Sequence, residues 1–478
     1  MLHGDGCNGG HVGANRRAIC CFKFVALVLA LANPAMAQYG STNYSIERWS
    51  EDYSYFKDAP HSTDPLDAIK YVPLGSDPDW YLSFGGQARY RFDYFRDSGF
   101  GSGPQDDTGF DLVRLLAHVD AHLGKNFRLF VQLNSGLAFD RLGGPRPGDA
   151  DDFDVQQAFA DVMLPLTDSG SLTVRVGRQE LIYGAQRLVS PNDWGNVRRS
   201  FEGVKASISV PNDTVDLFLV RPVSIEKTRF NSGDDRTAFA GIYNVAEFPR
   251  ILPGSKARLD TYLFLLDRSK STTTNVAASS DTFTLGIRPH ANPGPWDFDL
   301  EADWQFGNYD DHAIAAYSIA AEAGYMFRNV MFSPRMGVGV DLASGSANPA
   351  HRFDQLFPPQ YLFLGHLYLL GRENIIDLHP ELTLNLTDDI TCDVAGHFFW
   401  RQNAGDAIYN LTGGVVRAAA GSRSLVIGRE LDISVNWQIS QHFSTYAGYA
   451  HFFTGSFLRK TGSSDDQDFV YASVAFTF

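Results

Sequence analysis

Polar and apolar positions alternate along most of this chain with a period of two. The final stretch, Phe469-Val-Tyr-Ala-Ser-Val-Ala-Phe-Thr-Phe478, puts Val470, Ala472, Val474, Phe476 and Phe478 on one face and Ser473, Ala475 and Thr477 on the other. A strand shows its side chains to two faces in turn, so this pattern predicts a strand running to the terminal aromatic. Similar segments of about ten residues fall at 80–95, 109–123, 126–139, 153–164, 171–181, 199–210, 213–221, 236–247 and 256–268. They continue at 280–290, 296–308, 314–327, 330–342, 374–387, 390–401, 426–440, 442–454 and 467–478. The total is about 18, an even number as single-chain bacterial outer-membrane barrels have. A strand that reaches the chain end must close against another, because lipid offers no water to an open sheet edge.

The connections sort by parity. Long ones (96–108, 140–152, 182–198, 222–235, 343–373, 402–425, 455–467) take turns with short ones at 124–125, 211–212, 328–329, 388–389 and Gln441. Short periplasmic turns on one rim and long extracellular loops on the other are the barrel layout. The predicted fold is therefore all-β, a transmembrane antiparallel β-barrel of about 18 strands.

Alternation also assigns faces. Leu82, Phe84, Ala88, Tyr90 and Phe92 point to lipid in the first strand, leaving Gln87, Arg89, Arg91 and Asp93 inside. The same reading places Arg114, His118, Asp120, His122, Arg128, Gln132, Asn134, Asp161, Arg175, Arg199 and Lys205 inside. Later strands contribute Arg288, Arg335, His397, Arg401 and His451, with an acidic column of Asp299, Glu301 and Asp303 joined by Glu381, Asp393, Glu430 and Asp432. A cation facing lipid at mid-bilayer would cost about 2–4 kcal/mol, so these charges belong inside. They read either as Arg–acid pairs bracing the wall or as a lining that passes anions by repeated weak contacts.

Charge and composition narrow the picture. The formal net charge of −15 argues against nucleic-acid binding. Of 40 basic residues nine are Lys, and the Arg excess suits carboxylate or phosphate. Arg16, Arg17 and Lys23 precede an apolar run from Phe24 to Ala32 and an Ala35-Met-Ala37 cleavage site, which predicts a signal peptide over 1–37. Residues 38–79 then form a periplasmic N-terminal extension or fold under the pore, and 80–478 form the barrel. The mature chain keeps only Cys392, so no intramolecular disulfide is expected.

Six segments, in order, resemble the alginate-export family of outer-membrane barrels. They are Trp80-Tyr-Leu-Ser-Phe-Gly-Gly-Gln-Ala-Arg-Tyr-Arg91, Val176-Gly-Arg-Gln-Glu-Leu-Ile-Tyr-Gly184, Asp193-Trp-Gly-Asn-Val-Arg-Arg-Ser-Phe-Glu-Gly203, His351-Arg-Phe-Asp-Gln-Leu-Phe-Pro358, Ile427-Gly-Arg-Glu-Leu-Asp432 and Gly448-Tyr-Ala-His-Phe-Phe453. The resemblance implies an 18-strand barrel with an Arg-lined constriction and pore-restricting loops, and places Arg89, Asp161, Arg178, Glu202 and Arg352 at motif positions. Two departures stand out. Glu180 occupies a place where a second base is expected, and Arg178 shares parity with Val174 and Val176, which requires a bulge at Gly177 or a rim position.

The expected function is passive diffusion of an anionic polysaccharide or oligosaccharide through an outer-membrane channel, with no cofactor, metal or catalytic residue. Expected partners are that solute, membrane lipid, the barrel-assembly machinery through the Phe478 strand, and periplasmic export components. The rivals are a general porin with structural ion pairs, an outer-membrane enzyme using one of the lumen histidines, and an adhesin or receptor. The acidic loops 149–154 and 465–468 read as solvated rather than calcium-binding. The loops 182–198 and 343–373 mix arginine with Trp194, Phe353, Phe357 and Pro358, and at least one is expected to fold into the barrel mouth.

Overall fold

A computed structural model describes residues 44–58, 64–103, 107–248, 257–270 and 278–478, so the signal peptide over 1–37 lies outside the described residues. Eighteen barrel strands are present among them. In chain order these are β1 Trp80–Arg96, β2 Phe110–Leu123, β3 Phe127–Phe139, β4 Asp151–Thr167, β5 Gly170–Gln179, β6 Phe201–Val210, β7 Asp213–Ser224, β8 Thr237–Glu247 and β9 Arg258–Arg268. The second half comprises β10 Ser280–Ala291, β11 Trp296–Tyr309, β12 His312–Met326, β13 Arg335–Ala343, β14 Ile375–Asn385, β15 Ile390–Trp400, β16 Val426–Gln438, β17 Phe443–Thr454 and β18 Gln467–Thr477.

Each strand pairs antiparallel with the next, and β18 pairs with β1 in a register that sets Ala475 opposite Arg89. Phe478 completes the ring by exchanging backbone hydrogen bonds with Gly86 at 2.9 and 3.0 Å. A Cβ at Gly85 would stand 2.7 Å from the Phe478 carbonyl oxygen, so the seam needs glycine there. Closure leaves no unpaired edge for lipid to meet.

Loop parity holds around most of the ring, with departures at Asp310-Asp311, a two-residue turn on the long-loop rim, and at 248–257 and 327–334, longer connections on the short-turn rim. The strand expected over 330–342 starts only at Arg335, because the turn before it takes left-handed backbone at Phe332 and Ser333. Outward positions are apolar and exposed, as at Leu115, Val131, Leu219, Leu285 and Trp304. Trp80, Trp296 and Trp437 face out at the short-turn rim, where an aromatic girdle belongs.

The inward face is not uniformly polar. Phe218 on β7, Phe239 on β8 and Phe264 on β9 point into the lumen and are buried. Two long loops cover them. Phe357 of the β13–β14 loop sets its ring 5.0 Å from those of Phe201 and Phe239, and Leu188, Val189 and Leu356 join the same cluster. Burying each such side chain contributes about 1.5–3 kcal/mol, which draws both loops inward instead of out into water.

Candidate functional site

The site is the constriction that these two loops build. The β5–β6 loop (180–200) and the β13–β14 loop (344–374) meet through a short parallel contact: Ser190 N–H donates to Phe357 O and Phe357 N–H to Leu188 O. Trp194 stacks on Tyr361 with ring centroids 3.8 Å apart. The Tyr361 hydroxyl in turn bonds that of Tyr471 on β18 at 2.5 Å.

Arginines of β1 and β2 hold the β5–β6 loop by its backbone. Arg89 donates to Asp193 O and Gly195 O, each at 2.8 Å, and Arg114 to Asp193 O at 2.9 Å. Arg91 donates to Trp194 O while its guanidinium lies over the Trp194 ring. Arg114 also pairs with the Asp193 carboxylate at 2.9 Å. Burial pushes that carboxyl up, but Arg114, Arg198 and Arg89 prevail and hold it well below the usual range. Arg199 donates to Ser190 O and Phe357 O, tying one loop to the other. Burial pulls its guanidinium down to about 10, so it remains charged at neutral pH.

Most of the other expected lining arginines are engaged with carboxylates. Arg128 pairs with Asp120 and Arg175 with Asp161, whose Nε–Oδ1 distances are 2.7 and 2.8 Å. Arg175 also stacks over Trp49. Arg352 pairs with Glu373 at 3.2 Å. Arg401 lies just past β15 and is buried by the carbonyls of Asp406, Ser422 and Ser424, so it fastens an external loop.

Arg178 and Glu202 do not line the lumen. Strand pairing continues unbroken through Gly177, which sits opposite Gly203, so Arg178 keeps the outward face of Val176 and Glu202 that of Val204. Near the external rim the two pair with each other at 2.7 Å, and Arg178 pairs with Asp154 at 2.9 Å. His451 is likewise outward, beside Asp468. In the 149–154 loop Asp149 binds Arg141 and Asp151 accepts from Asn231, so both carboxylates are already partnered.

Residues 44–50 of the N-terminal extension sit at the short-turn end of the barrel. They enter the lumen from the short-turn side, where Arg48 donates to Phe478 O at 2.7 Å and to Gly86 O at 3.2 Å. Arg198 of the constriction reaches down to Ile46 O at 3.0 Å. Between this segment and the β5–β6 loop lies a cavity of about 350 Å³ lined by Arg48, Gln87, Gln132, Asp193 and Arg198. A second cavity, of about 380 Å³, lies beside β7–β10 and is lined by Tyr183, Asp216, Asp260, Arg288 and His290.

A scan against protein families matches residues 80–472 to Alginate export. The chain belongs to the alginate-export family. Among solved structures the barrel is similar to three Pseudomonas aeruginosa porins. OccK8 (OprE) is 11% identical, with a TM-score of 0.56 over 83% of this chain and 98% of that one. OccD3 (OpdP) is 9% identical, with a TM-score of 0.56 over 85% and 92%. OpdK is 8% identical, with a TM-score of 0.55 over 83% and 98%. A search of curated proteins found no match. At these identities the porins speak for the fold, and the family match joins them in placing this alginate-export member in the bacterial outer membrane as a porin-like channel.

Proposed function

We propose that this alginate-export barrel passes carboxylate-bearing solutes, an anionic polysaccharide or its oligosaccharides, by passive diffusion past the arginine wall of β1 and β2. The observation that carries the reading is the bonding of Arg89 and Arg199. Both point into the constriction, and both donate only to backbone carbonyls of the two loops. Neither forms an ion pair with a carboxylate among the described residues, although Asp193 lies near Arg89, so a solute carboxylate can take the place of a carbonyl as the loops shift. Arginine's planar fork suits that exchange. The solved OpdK structure was determined with vanillate; a small carboxylate of that kind suits the same arginines here.

A second reading is a general porin whose pairs only brace the wall, and the buried Arg128–Asp120 and Arg175–Asp161 pairs favour it. Permeation into proteoliposomes separates the two. A hexuronate should enter faster than a neutral hexose of the same size, and the preference should fall in the R89Q/R199Q variant. Equal entry of both sugars would support the general porin instead.

A further inference from the structure

Four neighbouring strands, β13 to β16, turn a group of titratable side chains into the lumen beneath the β13–β14 loop. At its centre the Nδ1 atoms of His379 and His397 lie 3.1 and 2.7 Å from one oxygen, Oδ2 of Asp377. The two rings are 5.2 Å apart, and all three residues are buried. We propose that His379, His397 and Asp377 bind one divalent transition-metal ion of the zinc, cobalt or nickel class.

The count of N–H donors supports a cation. Each ring turns its other nitrogen, Nε2, toward a further carboxylate: Asp432 at 3.5 Å for His397 and Glu381 at 3.8 Å for His379. Both nitrogens of both rings therefore face anionic oxygen. A neutral imidazole has a single N–H, and spending it at Nδ1 on Asp377 leaves a bare Nε2 facing a carboxylate unless the ring or the acid takes up a further proton. An ion on the Nδ1 side resolves this with neutral rings, each N–H remaining on Nε2 toward its carboxylate. Metal-bound histidines are commonly oriented by a carboxylate in this way.

The charge balance points the same way. Arg372 pairs with Asp341 at 2.5 Å and Arg335 with Glu381 at 3.2 Å. Asp377, Glu430 and Asp432 are buried with no Arg or Lys partner among the described residues. Asp377 Oδ1 and Asp432 Oδ1 have no hydrogen-bond partner among the described residues. Buried carboxylates left in that condition are expensive unless protonated or met by a cation.

Chemistry and size select the ion. Two imidazoles and a carboxylate suit zinc and its neighbours, whereas calcium takes six to eight oxygens. The three donor atoms already lie within 4.8 Å of one another. Tetrahedral zinc wants its donors about 3.3 Å apart, so entry must lengthen the 3.1 and 2.7 Å contacts of the two rings to Asp377. The loop above is docked on the same acids, with Leu367 N–H donating to Glu430 at 2.8 Å and His366 N–H to Asp432 at 3.2 Å.

The test uses the folded mature chain in detergent, stripped of metal and titrated with Co²⁺ and then Zn²⁺. One Co²⁺ per chain should bind with visible absorption, and Zn²⁺ should displace it. H379A and H397A should each weaken binding at least about tenfold, while H451A, on the outer face, should not. Anomalous diffraction from a zinc-soaked wild-type crystal locates the ion even if an alanine variant fails to fold. Absence of stoichiometric Co²⁺ binding, affinity unchanged in H379A and H397A, or an ion found elsewhere overturns the proposal. None of these readouts depends on which solute the channel passes.

Discussion

The ring of Trp194 lies flat on that of Tyr361, centroids 3.8 Å apart and planes within 6°, joining two loops that leave the barrel wall at different strands. The stack joins the loop held by the β1–β2 arginines to the loop bonded to Tyr471 on β18, the strand paired with β1. Aromatic pairs of this kind contribute about 1 kcal/mol beyond their buried area. W194A or Y361A should therefore shift the docked loops toward the undocked state by about fivefold. Single-channel recording should show larger and noisier currents, whereas wild-type currents in both variants would place the restriction elsewhere.

Residues 44–50 occupy the periplasmic side of the lumen through Arg48 and through the Arg198 bond to Ile46 O. The double variant R48A/W49A removes the anchor on the barrel seam and the ring beneath Arg175. Conductance should rise while the barrel keeps its heat-resistant gel mobility. An unchanged conductance would mean that this segment lies beside the solute path.

Two loop carboxyls give the constriction a pH dependence. Burial pushes Glu180 up to about 7 and Glu373 up to about 8, against the pull of Arg198 and Arg352. Both values lie above that of a carboxyl in a released loop, so the docked state holds the extra protons. The stabilisation is complete below the ordinary carboxyl value and is lost as pH rises through about 7 for Glu180 and about 8 for Glu373. Loop docking should be tighter in mild acid than in mild base, read as less protease cleavage within 180–200 and 344–374. E180Q and E373Q should flatten that profile, and a steeper profile in either variant would contradict it.

Arg178 and Glu202 pair with each other on the outer wall. R178Q should therefore leave ion selectivity as in wild type while lowering thermal stability. A clear change in reversal potential would return Arg178 to the lumen.

Period-two alternation carries the fold because lipid and lumen demand opposite chemistry, and faces such as Arg114 against Leu115 follow directly. It carries less where that demand is relaxed. In Leu217-Phe-Leu-Val220 both faces are apolar, and only the covering loops explain the inward Phe218. Alternation placed Arg178 outward, while its place in the family motif suggested a lining role; the wall geometry decided for alternation. The neighbourhood of His379 and His397 depends on the register between β14 and β15, which side-chain pattern within one strand does not encode. The contact of Trp194 with Tyr361 depends on two loops whose only common signal is an unusual aromatic content for solvated chain.

Reversal potential across a planar bilayer under a salt gradient tests the central claim most directly. The wild-type chain should prefer anions, and the R89Q/R91Q/R114Q variant should lose most of that preference while still conducting. A cation-preferring wild type, or a variant with the wild-type potential, would contradict an arginine wall that selects the solute.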